Sequence, residues 1–233
     1  MNVNCAWEHN GEDTLLYAID FVGAFARGDS LDAARRKMPS EIKSYLRWLG
    51  ASADEDVCIV IAEEKASELA IRDADSDMIF ESERTPLTAE KYERLKTLAL
   101  QSSKDFRALY DSVPDKEKLL APRRKTFYGE TPCTAGEMYE HTKSVNAYYF
   151  AEIGVNADHN GDIYTCRKYG FDLLEKMPDF LAKAAVEGSY GEYWSLCKVL
   201  RRFLWHDRIH AKAMYRRAVA AFGKENVCNP FCF

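Results

Sequence analysis

The sequence predicts a small α+β module at the N-terminus followed by an all-α domain built as a four-helix bundle. Three observations carry this: strand and turn signals crowd into residues 1–87, four long amphipathic stretches occupy residues 88–233, and the charge balance changes sign between them. Residues 1–87 carry 9 basic and 18 acidic side chains, and residues 88–233 carry 23 and 19. With 233 residues, 47% of them hydrophobic and 30% charged, the chain is long enough for two cores of ordinary composition.

In chain order, residues 3–8 read as a strand, Asn10, Gly11, Glu12 and Asp13 as a turn, and residues 14–21 as the second strand of a hairpin. Residues 23–34 lead into a helix that Asp29 or Ser30 can cap. Pro39 lacks the amide that would continue the ladder and is expected to kink or interrupt that helix, which resumes through Ile42, Tyr45, Leu46 and Leu49 and stops at Gly50. Residues 57–61 read as a buried strand, 66–71 as a short helix or turn and 78–80 as a further strand. The Gly23 to Leu31 stretch, followed by Ala33, Ala34 and a helix, resembles the strand-to-helix segment of HicB-like domains. That resemblance implies a partner-binding or dimerising module, and a homodimer is the expected assembly.

Pro86 discourages helix and Thr88 can cap one, which places the boundary between residues 1–87 and 88–233. Residues 89–113 form an amphipathic helix on Tyr92, Leu95, Leu98 or Ala99, Phe106, Leu109 and Tyr110, closed by Pro114. A long connection rich in proline and basic residues follows, either functional or a span across the end of the bundle. Thr134 and Glu137 have the spacing of a capping box at the start of a second helix, which carries His141 and ends near Gly154. A third helix is expected over residues 162–187, kinked or divided at Pro178, and a fourth over residues 190–222.

The fourth helix holds the chemistry. His206 and His210 are one turn apart and continue the face made by Val199, Phe203 and Ala213, so two imidazoles replace apolar side chains where burial is expected. His141 sits in a comparable setting on the second helix, with Met138 and Val145. Three imidazoles from two helices would make a three-nitrogen site that suits zinc, nickel or iron and leaves room for water. This arrangement resembles the DinB-like family, which carries one metal-binding histidine on its second helix and a His-x-x-x-His pair on its fourth. Those positions fall on His141, His206 and His210, and the long connection before Thr134 also fits. The resemblance implies a divalent ion, zinc or nickel, with an open coordination position. For some members it also implies a thiol-dependent transferase or isomerase activity using a low-molecular-weight thiol.

The expected function is therefore a metal-dependent enzyme activating a small thiol or water toward a small-molecule substrate, of thiol-transferase or hydrolase type. The alternative is a non-catalytic binding protein with a structural ion. The sequence assigns no catalytic residue. Asp207 lies where His-Glu-x-x-His peptidases place their base, but it is a methylene shorter and no pattern supplies a peptidase's third ligand, so it is expected to face solvent or pair with a neighbouring base. Arg201, Arg202, Arg208, Lys212, Arg216 and Arg217 could meet phosphate or nucleic acid, but a solvated face interacting with the acidic first half explains them as well. Without interleaved exposed aromatics they do not indicate nucleic acid. Trp194, Trp205, Tyr148, Tyr149 and Tyr169 could wall a substrate cavity but read first as bundle core, and His9 and His159 read as exposed. Seven scattered cysteines without a Cys-x-x-Cys unit read mostly as buried thiols in a reducing compartment. No apolar run approaches a membrane span, and Met1, Asn2, Val3 and Asn4 do not open a signal peptide, so a cytoplasmic location and no membrane association are expected.

Overall fold

The computed structural model describes residues 1–52, 54 and 56–233. It is an α+β protein, with a four-stranded sheet near the N-terminus followed by long helices, and it divides into two compact units. The first comprises Met1–Phe80, Arg124–Glu130 and Phe231–Phe233, and the second comprises Glu81–Arg123 and Thr131–Pro230. The first break falls after Phe80 rather than after Leu87. Glu83 accounts for this, because its carboxylate is held in the second unit by Arg201 through Nε–Oε1 and Nη2–Oε2 contacts of 2.5 and 3.0 Å.

In the first unit, β1 (Asn2–His9), β2 (Thr14–Ala18), β3 (Phe25–Gly28), α1 (Leu31–Trp48) and β4 (Cys58–Ala66) form a sheet of order β3-β2-β1-β4 with one long helix. The first three strands pair antiparallel, and β4 returns parallel to β1. The β1–β2 turn closes as its residues require. The Asn10 side-chain oxygen accepts the amides of Glu12 (3.1 Å) and Asp13 (2.8 Å), and Gly11 takes φ +91°. Ser30 caps α1 by accepting the Ala33 amide. Every third or fourth residue of α1 then enters the core: Ala34, Met38, Ile42 and Tyr45 pack with Val3, Cys5 and Leu16.

Several expectations for this unit are corrected. α1 runs unbroken through Pro39, because Arg35, the residue whose carbonyl loses its donor, is exposed and the gap lies on the wet side of the helix. β2 stops at Ala18, whose amide already bonds to the Ala24 carbonyl across a tight connection into β3. β4 is a half-buried outer strand rather than a buried one, with exposure alternating residue by residue. Ala66 closes β4, and a 3-10 turn follows at Ile71–Asp73. Residues 78–80 are buried but form no strand; Phe80 meets the Tyr17 ring edge-on at 5.7 Å.

The second unit contains α2 (Ala89–Ser112), α3 (Ala135–Ala151), α4 (Ile163–Leu174) and α5 (Leu196–Phe222). Two-residue hairpins β5–β6 (Lys125–Thr126 and Gly129–Glu130) and β7–β8 (Val186–Glu187 and Tyr193–Trp194) lie in the connections, the first of them within the first unit. α4 and α5 each pack against both α2 and α3. Thr88 caps α2, and the Thr134–Glu137 capping box opens α3 with both reciprocal bonds present. α4 is shorter than the sequence indicates. It ends at Leu174 because Pro178 restricts the residue before it and Asp179 turns to φ +53°. α5 starts later, at Leu196, because Tyr190 takes φ +59° and the free amide of Lys198 is capped by Ser195. Among the described residues, no helix is long and apolar enough to cross a membrane. All seven cysteines are free thiols, with Cys5, Cys133, Cys166 and Cys197 buried and Cys58 and Cys228 exposed.

Gly170 sets how closely α4 approaches α3. A Cβ built there would lie 2.1 Å from Cε2 of Phe150, which is itself fully buried. Gly170→Ala is expected to lower the unfolding free energy by about 1–3 kcal/mol through overpacking. A denaturant midpoint equal to that of the natural protein would mean that Phe150 moves aside at no cost.

Candidate metal centre

α3 and α5 bring three imidazoles together. His206 and His210, one turn apart on α5, have ring centroids 4.4 Å apart, and His141 of α3 lies 5.1 Å from the first and 4.7 Å from the second. Their candidate ligand nitrogens all lie within 4.8 Å of one another, so this group can hold a metal ion. Nitrogens around a tetrahedral zinc stand roughly 3.3 Å apart at Zn–N of about 2.05 Å, so small side-chain rotations close the difference. The donor set fits a borderline ion: three nitrogens, with no cysteine or carboxylate in the cluster. A second observation agrees. His206 is 8% exposed, and its Nδ1 is buried without a hydrogen-bond partner among the described residues. An orphaned buried nitrogen is costly unless something binds it.

Burial holds the His206 imidazole well below the ordinary histidine value, reinforced by His210, His141, Arg202 and Arg167, and burial lowers His141 as well. Both rings are thus kept neutral, the form that binds metal. In the metal-free protein the sign of the pH dependence follows. Below the unfolded value of about 6.5 the unfolded chain takes up protons that the folded rings refuse, so stability is full above that pH and falls as pH drops through the window below it. Each ring contributes at most about 1.4 kcal/mol per pH unit. Denaturant midpoints from pH 7 to 5 should fall more steeply for the natural metal-free chain than for His206→Gln, and equal slopes would contradict the assignment.

Beneath the histidines lies a polar knot that sequence reasoning missed. Arg167 of α4 and Asp207 of α5 are both fully buried and pair through two bonds, Nη1–Oδ2 at 2.6 Å and Nη2–Oδ1 at 2.9 Å. Arg167 also donates to the Asn146 side chain of α3 (2.8 Å) and to the Ala99 carbonyl of α2 (2.9 Å). Ser102 of α2 donates to Asp207 at 2.7 Å. All four helices therefore meet at one ion pair. Of the two expectations for Asp207, it does not face solvent but does pair with a base, the partner being Arg167 of α4, with Ser102 also donating to its carboxylate. The signal was readable in principle, since Arg167 falls on the same face of α4 as Ile163, Cys166, Gly170, Phe171 and Leu174, all buried.

The basic residues of α5 are also corrected. Arg201, Arg202 and Arg208 are buried rather than solvated, as is Lys198. Arg202 and Lys198 both pair with Glu192, at 2.9 and 2.8 Å, and the Arg202 guanidinium lies over the Trp205, Trp194 and Tyr149 rings at 4.9, 5.5 and 6.0 Å. Trp194, Trp205 and Tyr149 are core, whereas Tyr148 is exposed. His159 is exposed, and His9 is half-buried against Trp7 with Glu64 3.2 Å away. A cavity of about 370 Å³ lined by Ile153, Leu174, Phe180, Val186, Leu196 and Glu152 lies elsewhere in the unit and includes none of the three histidines. No protein-family model matches the chain, and neither a curated protein nor a solved structure matches it.

Proposed function

We propose that α2, α3, α4 and α5 form a four-helix bundle of DinB-like type whose His141, His206 and His210 hold a divalent ion, zinc or nickel, in a metal-dependent enzyme of thiol-transferase or hydrolase type. The single observation that carries this reading is the convergence of three imidazole nitrogens within 4.8 Å, drawn from two helices. When bound, such an ion acts as a Lewis acid that acidifies a water or low-molecular-weight thiol. The chain's own part is to keep the rings neutral by burial and to fix α5 against the other helices through the Arg167–Asp207 pair. Since the imidazoles bring no negative charge, the ion's charge stays largely uncompensated by its ligands. The N-terminal unit is read as a HicB-like partner-binding module serving a homodimer, on the support of a helix that follows a strand directly from Gly28.

The burial of His206 favours a second reading, in which the ion only ties α3 to α5 and nothing is turned over. Elemental analysis of protein purified without an affinity metal column is expected to find about one zinc or nickel per chain, as a single three-nitrogen site demands. It should be lost in each of His141→Ala, His206→Ala and His210→Ala. Transfer of a small thiol to an aryl halide should then depend on that metal. Equal turnover with and without the metal would exclude the enzymatic reading, and absence of metal from the natural chain even after reloading would exclude both.

A further inference from the structure

The cavity of about 370 Å³ is built from helix ends and lies within the helical unit. Ile153 follows the C-terminal end of α3, Leu174 closes α4, Leu196 opens α5, and Phe180 and Val186 come from the connection between the last two. Its volume lies in the span of roughly 300–1,000 Å³ usual for small-molecule sites, and those five side chains make its walls chiefly apolar. One carboxylate is set among them, that of Glu152. Glu152 is 8% exposed, and among the described residues no lysine, arginine or histidine forms an ion pair with it. A buried carboxylate that lines a cavity without a counter-charge is costly until a cation reaches it.

The chain holds that carboxylate in place. Its Oε2 accepts the Ser189 amide at 2.8 Å, and the Tyr148 hydroxyl, one turn earlier on α3, is its other hydrogen-bonding neighbour. A carboxylate accepts at about four positions, so these two donors leave capacity for a ligand. A Cβ on Gly188 would stand 2.1 Å from the same oxygen, although the backbone there is ordinarily extended at φ -110°, so the missing side chain makes room for Glu152. Two features favour an anion instead, Lys183 and the N-terminal end of α5. Lys183 is exposed, and a charge in bulk water acts roughly fourfold more weakly than one within a protein. The positive end of α5 is outweighed by the negative C-terminal ends of α3 and α4.

We propose that this cavity binds a small apolar molecule carrying a protonated amine, an alkyl- or arylalkylammonium ion, whose charged end pairs with Glu152 and whose hydrocarbon body lies against Leu174, Phe180 and Leu196. The site is separate from the three histidines and stands whether or not they hold a metal. An ammonium group donates up to three hydrogen bonds, and the one it gives Glu152 is charge-assisted on both sides. The apolar walls exclude hydrated inorganic cations, which bring no hydrocarbon to bury.

The test is calorimetric titration of the full chain at neutral pH with 2-phenylethylamine, 2-phenylethanol and 3-phenylpropionate, which share an aryl body and differ in charge. The amine is expected to bind about tenfold more tightly than the alcohol, the scale of one charge-assisted hydrogen bond, and the carboxylate to bind most weakly. Glu152→Gln keeps an acceptor for the Ser189 amide and should bring the amine level with the alcohol. Ala184→Trp fills the cavity from its exposed rim and should abolish binding of both. Alcohol or carboxylate bound as tightly as the amine, a preference that survives in Glu152→Gln, or no binding of any probe at millimolar concentration overturns the proposal. If Glu152→Gln does not fold, Ala184→Trp decides: amine binding lost there upholds the site, and amine binding retained there overturns it.

Discussion

Asp207→Ala is expected to cost the helical unit about 3–5 kcal/mol, because it strands the fully buried guanidinium of Arg167 without its counter-charge. A change of that size removes a large share of the stability of an ordinary domain. Asp207→Asn keeps the shape and an acceptor for Ser102 and Arg167, and should lose less. Asp207→Leu combined with Arg167→Met removes both charges together and should recover much of the loss, since a buried pair as a whole contributes little beyond an apolar replacement. Chemical denaturation of the four proteins checks the series. A single Asp207→Ala variant within about 1 kcal/mol of the natural chain would mean that water reaches Arg167 and that the pair is not sealed as the structure has it.

Zinc added to the metal-free protein is expected to produce the second large effect. At free metal a thousandfold above its dissociation constant, binding to the folded state alone stabilises by about 4 kcal/mol. For a unit of this size that raises the thermal midpoint by on the order of 10 °C. His206→Ala should abolish the shift, because it removes the most buried of the three rings, whose Nδ1 has no hydrogen-bond partner among the described residues. A rise that persists in this variant would locate the metal elsewhere. The same titration bears on the choice between enzyme and structural ion. A large shift together with an ion that admits no exogenous thiol favours the structural reading, and a shift accompanied by an exchangeable ligand favours the enzyme.

The three histidines were legible in the sequence because their signal is local. A four-residue step on one helix and an apolar face on another fix which way each ring points before any packing is known. The Thr134–Glu137 capping box was legible for the same reason, since its two bonds close within one turn. The Arg167–Asp207 pair was not. Its partners are 40 residues apart, and a charged side chain within an amphipathic helix reads as solvated until the facing helices are placed. The basic side of α5 misled in the same way, because Arg202 and Lys198 find their shared partner, Glu192, in the connection that the sequence had read as helix. Element ends failed where a single residue decides them. Tyr190 and Asp179 adopt left-handed conformations that nothing in their side chains announces, and Pro39 sits on the one face of α1 where its missing amide does little harm.

The outermost strand of the sheet has two dissimilar halves. From Cys58 to Ala62 it is uncharged and rich in β-branched residues, with Val60 39% exposed, whereas Glu63, Glu64 and Lys65 charge the remainder. Charge along a sheet border discourages another chain from zipping onto it, and its lack invites one. Under crowding or mild heating, self-association of this protein should therefore begin at that unguarded half, and lysine in place of Val60 is the substitution that would delay it.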